Sequence, residues 1–321
     1  MKSTFVIGSR GSKLALWQAN FVKAQLSARF PQTKIEIEII KTSGDVMQNV
    51  SLAEIGGKGV FTKELETALL LDRIDLAVHS LKDLPTTLPE KLGIAAVLPR
   101  EDVRDALIVC ENLNAVSIRD LPQNAVVGTS SIRRAAQLKN VRKDLEIKDL
   151  RGNVDTRLRK LEELDYDAII LAAAGLKRLG FTDKITAFLS ENDMLPQIGQ
   201  GALAIETRND DAATNEFVKM LHEEKTFAEI SAERAFLRSL GGGCQFPIAA
   251  HAVVKDNGEL HLRGLVATPD GSLILRDELF GNIENAEDAE NIGRELAQKL
   301  LSNGAEKIIA NFKSQTPIPP S

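Results

Sequence analysis

Hydrophobic positions along the chain switch repeatedly between a spacing of two residues and one of about 3.6, which predicts alternating strands and helices. Thr4–Gly8 reads as a first strand, and Ser12 is placed to cap a helix running to about Phe30, with Leu16, Phe21 and Leu26 on its apolar face. Lys34–Ile40 alternates cleanly and predicts a strand with one wet face. Phe61–Leu71 has helical period, and Asp75–Val78 is a short buried strand ending at His79-Ser80-Leu81-Lys82-Asp83. A second series follows, with strands at Ala106–Val109, Ala125–Gly128, Leu145–Lys148, Asp167–Leu171 and Ala202–Thr207. Helices are expected over Ser131–Leu138 and over Asn153–Leu164, the latter capped by Asn153. From about Phe227 the pattern changes. A helix to Leu240 runs into Gly241-Gly242-Gly243-Cys244, and a hairpin of Ala249–Lys255 and Glu259–Ala267 turns at Asp256-Asn257-Gly258. A strand near Ser272–Leu279 and a long helix, Ala286–Leu301, complete a small α+β unit.

A chain of 321 residues is too long for one ordinary core. The pattern predicts an α/β fold of two similar domains around a cleft, followed by a small α+β C-terminal domain. The expected boundaries are residues 1–100 with 201–220 for the first domain, 101–200 for the second and 221–321 for the third. In open parallel sheets, ligands bind beyond the carboxyl ends of the strands. The unusual residues here fall at such places: Arg10 after the first strand, Lys82 and Asp83 after another, Thr129–Arg134 and Arg151–Asn153 after two more.

Composition narrows the possible partners. A net charge of −5 and an aromatic content of 4% argue against nucleic acid, which favours basic surfaces and base-stacking rings. The longest apolar run, Ala168–Leu176, falls short of the ~20 residues that span a bilayer, so no membrane partner is expected. The N-terminus has neither a secretory nor a transit pattern, which makes the cytoplasm the expected location. Four histidines, His79, His222, His251 and His261, form no metal spacing, so no metal site is expected.

The chemistry lies in the strand-to-helix turns. Gly128-Thr129-Ser130-Ser131-Ile132-Arg133-Arg134 ends a strand and opens a helix, where hydroxyls and free N–H groups attract anions. Two arginines in a first helical turn oppose the helix dipole. A bound anion would make that placement favourable, whereas solvated arginines beside a capped helix are the plainer alternative. Arg151-Gly152-Asn153-Val154-Asp155-Thr156-Arg157 supplies a second basic cluster at an equivalent turn. With Arg10 these make five guanidiniums, suited to a polyanionic small molecule because their forks match carboxylates. Gly56-Gly57-Lys58-Gly59 lacks the spacing of a phosphate loop and reads as a flap carrying Lys58. Asp83 is either a turn carboxylate beside Pro85 or a group placed opposite a developing cation. Cys244 sits in a glycine-flanked loop without helical or strand period, where a thiol is accessible and has no histidine partner. A covalent tether fits it better than hydrolysis.

Taken together, these motifs closely resemble the porphobilinogen deaminase family. The matching stretches are Ser9–Ser12 with Leu16-Trp17-Gln18, then Gly56–Phe61, His79–Asp83, Gly128–Arg134 and Arg151–Arg157. They continue through Ala174–Gly180, Gly199–Ala202 and Gly242–Pro247, in the family's order. The resemblance implies domains like periplasmic-binding-protein lobes and a monomeric transferase of tetrapyrrole (haem and porphyrin) biosynthesis. It implies a dipyrromethane cofactor held by a thioether to Cys244, with Lys82, Asp83, Thr129, Ser131, Arg133, Arg134, Arg151 and Gly152 around it. Porphobilinogen would be the substrate, held by Arg10, Ser12, Arg157 and Lys58, with Asp83 as the catalytic carboxylate. Deamination of porphobilinogen to an electrophilic azafulvene, four additions to the primer and hydrolysis would release hydroxymethylbilane and ammonia. The alternative from a different class is a two-domain anion-binding protein without catalysis.

Overall fold

Residues 2–46, 61–163, 166–241 and 246–315 are described by a computed structural model. The chain divides into two compact units, Met1–Glu101 with Gly201–Phe227 and Asp102–Gln200 with Ala228–Ser321. In the first unit, five strands lie in the order Lys34–Ile39, Thr4–Ser9, Leu76–Ser80, Leu203–Arg208, Leu92–Val97. Thr4–Ser9 runs parallel to both of its neighbours, and Leu203–Arg208 runs antiparallel to both of its own. Phe5, Ile7, Leu76, Val78 and Ile205 send their side chains into one cluster with Val22 and Leu26 of the helix Lys13–Arg29. Phe5 stacks on Phe217 of the helix Ala212–Lys219 at a ring distance of 4.0 Å. Each such fully buried side chain contributes about 1.5–3 kcal/mol.

The second unit repeats the plan. Its strands lie in the order Glu146–Lys148, Val126–Gly128, Ala168–Ala172, Asp105–Val109, Ala187–Phe188. Val126–Gly128 is parallel to its neighbours, and Asp105–Val109 is the antiparallel member. Both sheets are therefore mixed rather than purely parallel, since the direction in which a strand runs leaves no mark on its apolar period.

The C-terminal portion of this unit is an antiparallel sheet of Ile248–Val254, Glu259–Ala267 and Ile274–Asn282. Phe236 of the helix Glu224–Ser239 and Leu296 of the helix Ala286–Leu300 cover it within one apolar cluster. The hairpin turns where expected, with Gly258 at φ +81°. Ala249, Leu265 and Ala267 pack on Ala136 and Leu195, which joins this sheet to the helix Ile132–Val141. Among the described residues no helix is long and apolar enough to cross a membrane.

Candidate active site

In the first unit, Arg10 follows the strand Thr4–Ser9, and its guanidinium lies 4.2 Å from the centroid of the Phe61 ring. Ser12 caps the next helix, its Oγ accepting from Ala15 N at 3.2 Å, which leaves its own hydroxyl hydrogen to donate. The parallel neighbour Leu76–Ser80 ends at the same side of the sheet and runs into a 3₁₀ turn, Leu81–Asp83. Leu81 is buried and its N–H bonds Ala202 O at 3.0 Å, so the turn is anchored at its first residue. Lys82 is half-buried, and the Asp83 side chain is exposed. Immediately before it, His79 Nε2 lies 2.9 Å from Glu206 Oε2, both side chains being buried.

In the second unit, two neighbouring turns carry the other predicted residues. Thr129 Oγ1 accepts from Ser131 N at 3.2 Å, and Ser131 Oγ caps the helix Ile132–Val141 by accepting from Arg134 N at 3.4 Å. Thr129 N donates to Lys148 O at 2.9 Å, and Ser130 Oγ to Leu150 O at 2.6 Å, fastening this turn to the one beside it. There Arg151 Nε donates to Asp149 Oδ2 at 2.6 Å. Arg157 Nε reaches back to Gly152 O at 2.7 Å. Gly152 takes φ +114°, and a Cβ there would stand 2.8 Å from Thr156 Cγ2, so the turn requires glycine. Asn153 occupies the helix N-cap position, but its side chain accepts no cap hydrogen bond, contrary to its expected role. Cys244 and Lys58 lie outside the described residues.

Arg133 and Arg134 are not solvated. They are 3% and 6% exposed and converge on Asp105, which is 0% exposed. Arg133 Nη1 donates to Asp105 Oδ2 at 2.7 Å and to Leu195 O at 2.8 Å. Arg134 places Nε and Nη2 on Asp105 Oδ1 at 3.1 and 2.8 Å and Nη1 on Ile170 O at 2.9 Å. Gln200 Nε2 adds a fourth donor to the carboxylate at 3.0 Å. The anion that the two arginines call for is thus supplied internally in part. Sequence reasoning missed Asp105, although a carboxylate opening the apolar run Ala106-Leu107-Ile108-Val109 was the available signal.

Burial alone would raise the Asp105 carboxyl, but the Arg133 and Arg134 guanidiniums hold it well below the usual carboxylate range. A depressed folded-state pKa contributes stability that is present above the unfolded value of about 3.9 and is lost as pH falls below it. The melting temperature is expected to decline below roughly pH 4, while the Asp105 carboxyl-carbon resonance stays that of an ionised group to about pH 3. A resonance titrating near 3.9 would contradict this arrangement.

In each unit the strand ends carry side chains able to donate to carboxylates: Arg10, Ser12 and Lys82 in the first, Thr129, Ser131, Arg151 and Arg157 in the second. Residues 5–216 match the family model described as porphobilinogen deaminase, dipyromethane cofactor binding domain, and residues 227–302 match that of the porphobilinogen deaminase C-terminal domain. The chain belongs to the porphobilinogen deaminase family. A porphobilinogen deaminase of Chlorobaculum parvum is 50% identical over 313 residues, 98% of this chain and 99% of that one. One of Geobacter sulfurreducens is 50% identical over 304 residues, 95% of this chain and 93% of that one. Among solved structures, the periplasmic aliphatic sulphonate binding protein SsuA from Escherichia coli is similar at a TM-score of 0.41 and 16% identity, over 74% of this chain and 71% of that one.

Proposed function

We propose that Asp83 is the catalytic carboxylate of this chain and that Cys244 carries its dipyrromethane cofactor. Family membership makes the chain a transferase of tetrapyrrole biosynthesis with hydroxymethylbilane synthase activity. It deaminates four porphobilinogen units and joins them head to tail onto a dipyrromethane primer, releasing hydroxymethylbilane and ammonia. The match along nearly the whole chain to deaminases does not favour the non-catalytic anion binder.

The observation that carries the reading is the buried guanidinium of Arg133. Its Nε and Nη2 have no hydrogen-bond partner among the described residues, although both atoms are shut away from solvent. A buried donor without a partner costs about 1–3 kcal/mol, more when charged, and an incoming carboxylate removes that cost. Each pyrrole of a dipyrromethane bears an acetate and a propionate, so the group fits this donor set. When bound, it supplies the free pyrrole α-carbon from which the product chain starts.

The chain's own residues then divide the work. Arg133, Arg134, Arg151, Thr129, Ser131, Gly152 and Lys82 hold the cofactor's acidic groups. Arg10, Ser12, Arg157 and Lys58 bind the carboxylates of incoming porphobilinogen. Ser12, Thr129 and Ser131 accept backbone bonds in their turns, and each keeps a hydroxyl hydrogen for a carboxylate. Asp83 accepts from pyrrole N–H groups and stabilises the positive charge that develops on porphobilinogen as ammonia leaves. The proposal includes a three-domain organisation with Cys244 in the C-terminal domain, and a monomer in the cytoplasm; these rest on the family resemblance.

Mixing the purified protein with limiting porphobilinogen should add whole pyrrole units to its intact mass, up to four, with one ammonia released per unit. Product release from a protein whose mass never rises would overturn the tethered route.

A further inference from the structure

We infer that Asp105 is a positioning residue that aims the Arg133 guanidinium at a pyrrole carboxylate. The inference deepens the proposed reading and rests on it. Two arginines and one carboxylate leave a surplus positive charge inside the second unit, and the hydrogen bonds show where that surplus is presented. Arg134 spends its side-on fork, Nε and Nη2, on Asp105 Oδ1. Arg133 does the reverse: only its Nη1 is used, divided between Asp105 Oδ2 and Leu195 O. Its own side-on fork, Nε with Nη2, is left whole and unpartnered among the described residues. That fork is the edge of a guanidinium that takes a carboxylate with two parallel hydrogen bonds.

The groups holding Arg133 are themselves fixed. Gln200 Nε2 donates to Val103 O at 2.7 Å as well as to Asp105 Oδ1, so its amide nitrogen is held between two acceptors. The Leu195 peptide is clamped by Gln137, which accepts from Leu195 N at 2.8 Å and donates to Leu195 O at 3.1 Å. Asp105 itself opens the strand Asp105–Val109 opposite Ala172. The carboxylate therefore fixes the direction of the Arg133 fork before any guest arrives, and one guest carboxylate completes the charge balance.

Electrostatics and positioning make opposite predictions for Asp105→Asn, which separates them. Deleting a negative charge beside an anion site tightens anion binding if charge alone matters, and weakens it if Asp105 aims the donor. The measurement is calorimetric titration of a free dipyrromethane, bearing an acetate and a propionate on each ring, into full-length Cys244→Ser protein, whose cofactor groups are then unoccupied, with and without Asp105→Asn. The expected result is binding weaker by about tenfold or more, the worth of one charged hydrogen-bond contact. Unchanged or tighter binding overturns the inference, even if the melting temperature has fallen. Gln200→Ala keeps both ion pairs and provides a second variant should Asp105→Asn not fold; a loss of about threefold is expected, and none would overturn the inference. Failure of Cys244→Ser itself to bind the dipyrromethane would instead overturn the reading on which the role of Asp105 rests.

Discussion

Replacing Cys244 with serine is expected to leave a folded chain that carries no pyrrole and makes no product. A thioether forms through a thiolate, and a serine hydroxyl offers no comparable nucleophile at neutral pH. The intact mass should fall from the sequence mass plus a two-pyrrole unit to the sequence mass alone. The aldehyde reagent that colours free α-pyrroles should give no colour. The chain has two cysteines, and Cys110 is a poor substitute. It is buried at the end of the strand Asp105–Val109, its Sγ donates to Asn112 Oδ1 at 2.7 Å, and burial, helped by the Asp167 charge, pushes its thiol pKa up. Cys110→Ala should therefore keep the full mass increment. A Cys244→Ser protein that retained the increment, or a Cys110→Ala protein that lost it, would move the tether away from Cys244.

Much of the fold was legible because burial imposes a strong pattern. Thr4–Ser9, Leu76–Ser80 and Ala168–Ala172 are apolar runs bounded by polar turns, and each was expected within two residues of its observed limits. Ser12 was readable as a cap because a hydroxyl before a helix has a definite local function, whereas Ser131, expected as the first helical residue, is itself the cap. Weak segments were missed. Leu92–Val97 (LGIAAV) lacks alternation, Ala187–Phe188 has only two residues, and Ala212–Lys219 (AATNEFVK) has a thin apolar face.

The candidate site divides in the same way. Arg133 and Arg134 stood out because cations at a helix N-terminus oppose its dipole, an anomaly visible locally. Their counter-ion was not visible, since Asp105 lies 28 residues before Arg133 and meets it only through the tertiary fold. An antiparallel strand laid against Ala168–Ala172 brings the carboxylate there, and strand direction is not written in the period. Arg157 was placed correctly beside the Gly152 turn, because residues four apart share a helix face. Asn153 illustrates the opposite error: a residue of the right type in the right position whose side chain does not make the bond.

Asp83→Asn should retain the cofactor and lose most turnover. The side chain is exposed and has no hydrogen bond or ion pair to another described residue, so its replacement leaves no buried group unsatisfied. Leu81, which anchors the turn through its buried side chain and its bond to Ala202 O, is untouched. An asparagine oxygen can still accept from a pyrrole N–H, so binding should be nearly preserved. What it cannot do is oppose a full positive charge. At ~4 Å and an effective dielectric near 20, a carboxylate stabilises a cation by roughly 4 kcal/mol, which sets an upper limit of about three powers of ten in rate. The signature is a fall in kcat of that order with KM changed less than about threefold, and with the two-pyrrole mass increment intact. Equal losses in kcat/KM and in cofactor content would indicate that Asp83 builds the site rather than acting in it. Turnover within about twofold of the parent would return Asp83 to the role of an ordinary turn carboxylate.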